Sequence, residues 1–171
     1  ADDLARDTAA AIAAATAAAS GVATLVLPVD LQSAAVNETA SQPRAQAAPA
    51  VPAFDAARLA RVADLLRTGV PAVLLLGARA LSARGQKAAA RIAAATGAAC
   101  FGETFPARAE RGGGLPDIDR LPYFPEPARA ALAGRKVVLA GALAPVTYFA
   151  YEGIPGELAP PEDLVTLADP G

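Results

Sequence analysis

Few side chains in this sequence are equipped for chemistry. The 171 residues include no histidine and one cysteine, Cys100. The commonest neutral-pH proton carrier and zinc ligand is therefore missing, and neither an intrachain disulfide nor a thiolate cluster can form. Cys100 sits in an apolar run and reads as a small core residue. Glu103 and Glu110 are candidates for a carboxylate pair, but no positioned base, nucleophile or metal cluster accompanies them. No catalytic residue and no metal ligand is assigned. What remains is binding chemistry at the ends of apolar runs. Gly77, Ala78 and Arg79 follow "AVLLL", Glu103 and Thr104 follow "AACFG", Gly141 follows "KVVLA", and Asp169 follows "LVTLA". A glycine there lets a ligand come close, or simply lets the chain turn. Arg79 can hold a phosphate bidentately or stay solvated. Asp169 can accept a ribose hydroxyl or open a turn before Pro170. The triple glycine 112–114 suits a phosphate or a mobile loop. "GARALSARG" lacks the spacing G-x-G-x-x-G, so the dinucleotide fingerprint is absent.

The elements that must position these residues follow from pattern. Asp2 and Asp3 precede an alanine-dominated helix over 4–19, ended by Ser20 and Gly21. Residues 23–27 form a short apolar run with strand-like flanks, and 37–52 lack periodicity and read as a linker. From Phe54 on, strand and helix alternate. Asp55 caps a helix to Arg67 that stops at Thr68 and Gly69, and residues 72–76 form a strand buried on both faces. Ser82 caps a helix to about Thr96 with Gly97 beyond it, and 98–101 form a second strand. Residues 103–127 are irregular, 127–132 a short helix, 136–140 a strand, and 164–167 a last strand. The aromatic residues Tyr123, Phe124, Tyr148, Phe149 and Tyr151 are expected to cover a sheet edge or a subunit contact. Such alternation argues for a parallel sheet built from βαβ units. Ligands then belong outside the carboxyl ends of the strands, where the named residues lie.

Composition narrows the function classes. A net charge of −2 gives no footprint for nucleic acid or an anionic membrane. No apolar run is long enough to span a bilayer, and the early alanine stretch follows acids where a signal peptide needs basic residues. A cytoplasmic protein is the expectation. The sequence contains no methionine, which fits either a processed start or an internal piece of a longer protein.

The order of segments resembles thiamine diphosphate-dependent enzymes of the acetolactate synthase and benzoylformate decarboxylase group. "GVATLVLPVDLQ" is similar to the strand that closes their pyrimidine-binding domain, with Leu27, Pro28, Asp30 and Gln32 matching. "VPAVLLLGARALSARGQKAAARIAAATGAACFGETF", "KVVLAGALAPVTYF" and "LVTLADPG" follow the plan of their central domain. "RGGGLPDIDRLPYFPEP" departs from the commonest pattern, which often carries a histidine-proline. The resemblance implies an α/β fold: a parallel Rossmann-like sheet flanked by helices, with an N-terminal helix-strand appendage. It divides the chain into the end of a pyrimidine-binding domain (1–36), a linker (37–53) and a central domain (54–171). It implies a parent that makes or cleaves a carbon–carbon bond beside a carbonyl with thiamine diphosphate and magnesium. The glutamate and the Gly-Asp-Gly…Asn motif that serve those groups lie outside this stretch, and the sequence has no Asp-Gly pair. The segment alone is expected to be inactive, its partners being the rest of the parent and further copies in a homo-oligomer. FAD or ADP is possible in the central domain at Gly77, Ala78, Arg79, Thr104, Gly141 and Asp169. The competing readings are a stand-alone FAD or adenine-nucleotide module and an oligomerisation scaffold.

Overall fold

A computed structural model of the chain describes residues 3–16, 22–35, 53–149 and 152–170. The chain divides between Ala53 and Phe54 into two compact units. In the first, helix α1 (Leu4–Ala15) buries none of its side chains. Asp3 stands at its N-terminus without capping it through its side chain; its carboxylate pairs instead with Arg6 at 2.8 Å. The helix stops at Thr16, whose hydroxyl donates to the Ile12 carbonyl at 2.8 Å. Asp2, the Ser20-Gly21 stop and the linker at 37–52 lie outside the described residues.

The expected strand at 23–27 is not formed. Residues 22–28 belong to no sheet, and one helical turn, α2 (Val29–Gln32), follows them. Gln32 closes this turn by donating from its amide to the Leu27 carbonyl at 2.7 Å. The physical reason is pairing: a strand is completed by a neighbour's N–H and C=O groups, and no described residue pairs with this run. Val22, Val26 and Val29 stay exposed.

The second unit is a four-stranded, all-parallel sheet with helices on both faces. Helix α3 (Ala56–Arg67) begins at Asp55, whose carboxylate accepts from the backbone N–H of Ala57 and Arg58 at 2.9 and 3.0 Å. Strand β1 (Ala72–Leu76) is buried throughout. A 3₁₀ turn (Ala78–Leu81) leads to α4 (Ala83–Thr96), capped by Ser82 and ended by Gly97 at φ +73°. Strand β2 (Ala99–Gly102), helix α5 (Pro125–Leu132), strand β3 (Lys136–Ala140) and strand β4 (Leu164–Ala168) complete the unit. Helix α5 starts at Pro125, two residues before the expected start, because a proline suits the first turn, where no intrahelical N–H is needed.

The strand order is β2-β1-β3-β4. Val73, Leu75, Val137 and Leu139 pack toward α5, against Ala128 and Leu132. Ala72, Leu74, Leu76 and Val138 pack on the other face, against Val62 and Leu66 of α3 and Ala89 of α4. The alternation of side chains along a strand thus serves both faces. The chain runs from β1 to β2 through α4, then crosses back through α5 to place β3 on the other side of β1. The direction of winding reverses between β1 and β3, the topological switch point where such sheets take ligands.

Candidate functional site at the carboxyl ends of the strands

The backbone leaves β1 and β3 side by side. Leu76 pairs with Ala140 in register, and the Gly77 N–H donates to the Ala140 carbonyl at 3.0 Å. The two glycines that follow meet directly. A Cβ on Gly77 would lie 2.5 Å from the Gly141 carbonyl oxygen and 2.7 Å from the Ala142 Cα. A Cβ on Gly141, at φ +72°, would lie 2.7 Å from the Gly77 carbonyl oxygen. Both glycines are therefore required by the approach of two loops to each other. The approach of a second loop is a cause beyond the ligand or turn that a glycine at a strand end suggests.

Ala78 has φ +43°, a value that costs an L-residue with a Cβ about 1–2 kcal/mol. Its N–H lies near the Glu103 carboxylate, while the Glu103 N–H donates to the Leu76 carbonyl at 2.9 Å. Burial pushes the Glu103 carboxyl above its ordinary pKa, and the nearby Ala78 N–H partly offsets this. Ionisation of Glu103 therefore costs the folded state. The cost is absent below the ordinary carboxylate range and sets in as pH rises through the raised folded value. Glu103→Gln keeps an acceptor for the Ala78 N–H and removes the charge. Its thermal midpoint is expected to exceed wild type by about a degree or two at pH 7, the open side of the group keeping the effect small. The difference should vanish below about pH 4, which unfolding scans at the two pH values check.

The N-terminus of α4 is occupied by the chain itself. The Ala83 N–H donates to the Glu110 carboxylate at 2.8 Å, and the Gly85 N–H to the Ser82 hydroxyl at 3.3 Å. Gln86 is buried, and its side-chain amide donates to the carbonyls of Leu81 and Glu110 at 2.6 and 2.7 Å. The Glu110 N–H in turn donates to the Leu81 carbonyl at 3.1 Å. The segment after β2 is thereby pinned to the start of α4. A cleft of about 250 Å³ remains beside it, lined by Leu81, Gln86, Pro106, Glu110, Leu115 and Ile118 among others, with Gly112 at its edge. The three glycines 112–114 all have positive φ and open space around them.

The other predicted residues have partners too. Thr104 is buried, and its hydroxyl donates to the Leu121 carbonyl at 3.2 Å. Asp169, just beyond β4, pairs with the Arg58 guanidinium at 2.7 Å, which raises the Arg58 pKa further. Arg79 is exposed on the turn after β1. The structure thus brings Gly77, Ala78 and Gly141 together, adds Glu103, and engages Thr104 and Asp169 elsewhere. Glu103 and Glu110 cap different N–H groups and do not act as an acid–base pair. Cys100 keeps its thiol, burial having pushed its pKa up. Among the described residues, no group of three acidic, histidine or cysteine side chains is placed to hold a metal, and no helix is long and apolar enough to cross a membrane.

Gln86 and Arg58 were missed from sequence. Gln86 had a legible signal: it lies three residues before Ala89 on the apolar stripe of α4, where a polar side chain must find buried partners. Nothing in the sequence marks Arg58 as the partner of a residue 111 positions away.

An aromatic cluster lies on the loops that follow β2 and β3. Phe105 meets Tyr123 and Tyr148 edge-on at 5.3 and 4.9 Å, and Tyr123 also contacts Phe124 and Phe149, both at 5.3 Å. All five rings are more than a third exposed. Tyr151 lies outside the described residues.

No family model matches the chain, and no solved structure matches it. A protein of Mycobacterium tuberculosis named "Putative acetolactate synthase large subunit IlvX" is 46% identical over 176 residues, covering the whole of this chain and 32% of the relative. The chain therefore spans about a third of the length of the curated relative it matches. The resemblance read from "LPVDLQ" and the strand-and-glycine segments is borne out: over its whole length the chain is similar to a protein named as an acetolactate synthase large subunit.

Proposed function

We propose that this chain is the scaffold portion of an acetolactate synthase-like, thiamine diphosphate-dependent enzyme: the close of a pyrimidine-binding domain at 1–36, a linker at 37–53 and a central domain at 54–171. The observation that carries this reading is identity of 46% sustained across the entire chain. The parallel sheet with a switch point between β1 and β3 agrees with a central nucleotide-fold domain. The exposed run at 22–28 agrees with a strand whose sheet belongs to another part of the parent.

Bound thiamine diphosphate supplies carbanion chemistry beside a carbonyl, and magnesium ties its diphosphate to the protein. The described residues of this chain do not fit either group: they offer no carboxylate cluster, and the sequence has no Asp-Gly pair. No chemical step is assigned to them. Their part is to set the positions of the domains on either side.

The test is expression of the complete reading frame beside this 171-residue chain. The complete product is expected to form acetolactate only with thiamine diphosphate and magnesium, and the chain alone to form none. A reading frame without a downstream Gly-Asp-Gly…Asn motif, or a complete product that does not bind thiamine diphosphate, overturns the reading. The exposed aromatic cluster favours one addition, a contact surface in a homo-oligomer; light scattering on the same product would return a multiple of the chain mass.

A further inference from the structure

We infer that the nucleotide crevice of the central domain is closed by its own chain, with Glu103 and Glu110 seated on the N–H groups where a dinucleotide's phosphates would bind. Phosphate recognition at a switch point uses backbone N–H groups at the turn after the first strand and at the start of the next helix, free of side chains and unpaired. Here that turn begins with Ala78, whose N–H lies near the Glu103 carboxylate. The helix begins with Ala83, whose N–H is bonded to Glu110 at 2.8 Å. Two carboxylates stand where two phosphates would be accepted, and a diphosphate would meet their charge as well as their volume.

Three further observations point the same way. The loops after β1 and β3 are in backbone contact through Gly77 and Gly141, leaving no space for a ligand group between them. Asp169, the acid placed for a ribose hydroxyl, already holds Arg58. Glu110 is fixed by three hydrogen bonds, through its N–H, its carbonyl and its carboxylate, so displacing it breaks all three. Among the candidate ligand residues Arg79 is the one cation, and it is exposed on the turn after β1. FAD and ADP therefore do not fit the residues present. The domain keeps the architecture of a nucleotide fold, with its own acids as internal anions.

The test uses the 171-residue chain, labelled with nitrogen-15 and titrated separately with ADP and FAD. Dissociation constants weaker than about 1 mM are expected for both. The amide resonances of Ala78 and Ala83 should stay in place, and gel-filtered protein should carry no flavin absorbance. Saturable movement of either amide below that concentration, or flavin that co-elutes with the protein, overturns the inference. Neither result bears on whether the complete product depends on thiamine diphosphate, so the two readings fail independently.

Discussion

Gly77→Ala should cost the second unit about 3 kcal/mol or more, a large share of the 5–15 kcal/mol typical of a domain. The added methyl would meet the Gly141 carbonyl and the Ala142 Cα, all backbone, at separations no real Cβ contact shows. Relief by a side-chain rotation is therefore impossible. Relief by backbone movement must separate β1 from β3, whose pairing runs in register from Ala72–Lys136 to Leu76–Ala140. These are the two central strands, so the strain enters the middle of the core. Urea unfolding should show a much lower midpoint, or no folded baseline. Gly156→Ala is the control: nothing lies within 4 Å of its added Cβ, and its stability should stay within about 0.5 kcal/mol of wild type. Equal behaviour of the two variants would refute the loop-to-loop contact.

Gln86→Leu is expected to cost about 1–3 kcal/mol. Leucine matches the volume and restores none of the chemistry. The Glu110 carbonyl loses its side-chain donor at 2.7 Å, while the Leu81 carbonyl loses one at 2.6 Å and keeps the Glu110 N–H; an unsatisfied buried polar group costs about 1–3 kcal/mol. The Glu110 segment should also loosen, seen as faster hydrogen exchange at the Glu110 amide with β3 little changed. Gln86→Glu separates shape from donation. An ionised glutamate keeps the outline, donates nothing and faces two carbonyl oxygens, so it should be at least as harmful. If Gln86→Glu were near wild type, the side-chain amide would have no role in pinning the loop.

What the sequence made legible follows from how local each cause is. Asp55, Ser82, Thr68 and Gly97 act within a few residues of themselves, and each cap or stop appears as expected. The run "AVLLL" signals burial on both faces because no position in it is polar, and β1 is buried throughout. The positions of the candidate ligand residues at strand ends were also legible, since they depend only on where the runs stop. Their occupation was not. The approach of Glu103 to Ala78 and the Glu110 bond to Ala83 each close across α4 and β2, and no local period encodes that path. The run at 23–27 shows the opposite failure: its composition is that of a strand, and strand formation depends on a partner that local pattern cannot supply.

The uncovered ribbon at 22–27 has a consequence for the chain in solution. Its six residues carry no charge, no proline and three valine or threonine side chains besides two leucines' worth of apolar bulk, the composition of a segment that stacks into cross-β layers. Colloidal behaviour at high concentration would be governed by these few residues and not by the stability of the sheet that follows. A solution of this chain can therefore cloud while its folded unit stays intact, and a lysine in the ribbon would clear it without changing any unfolding midpoint.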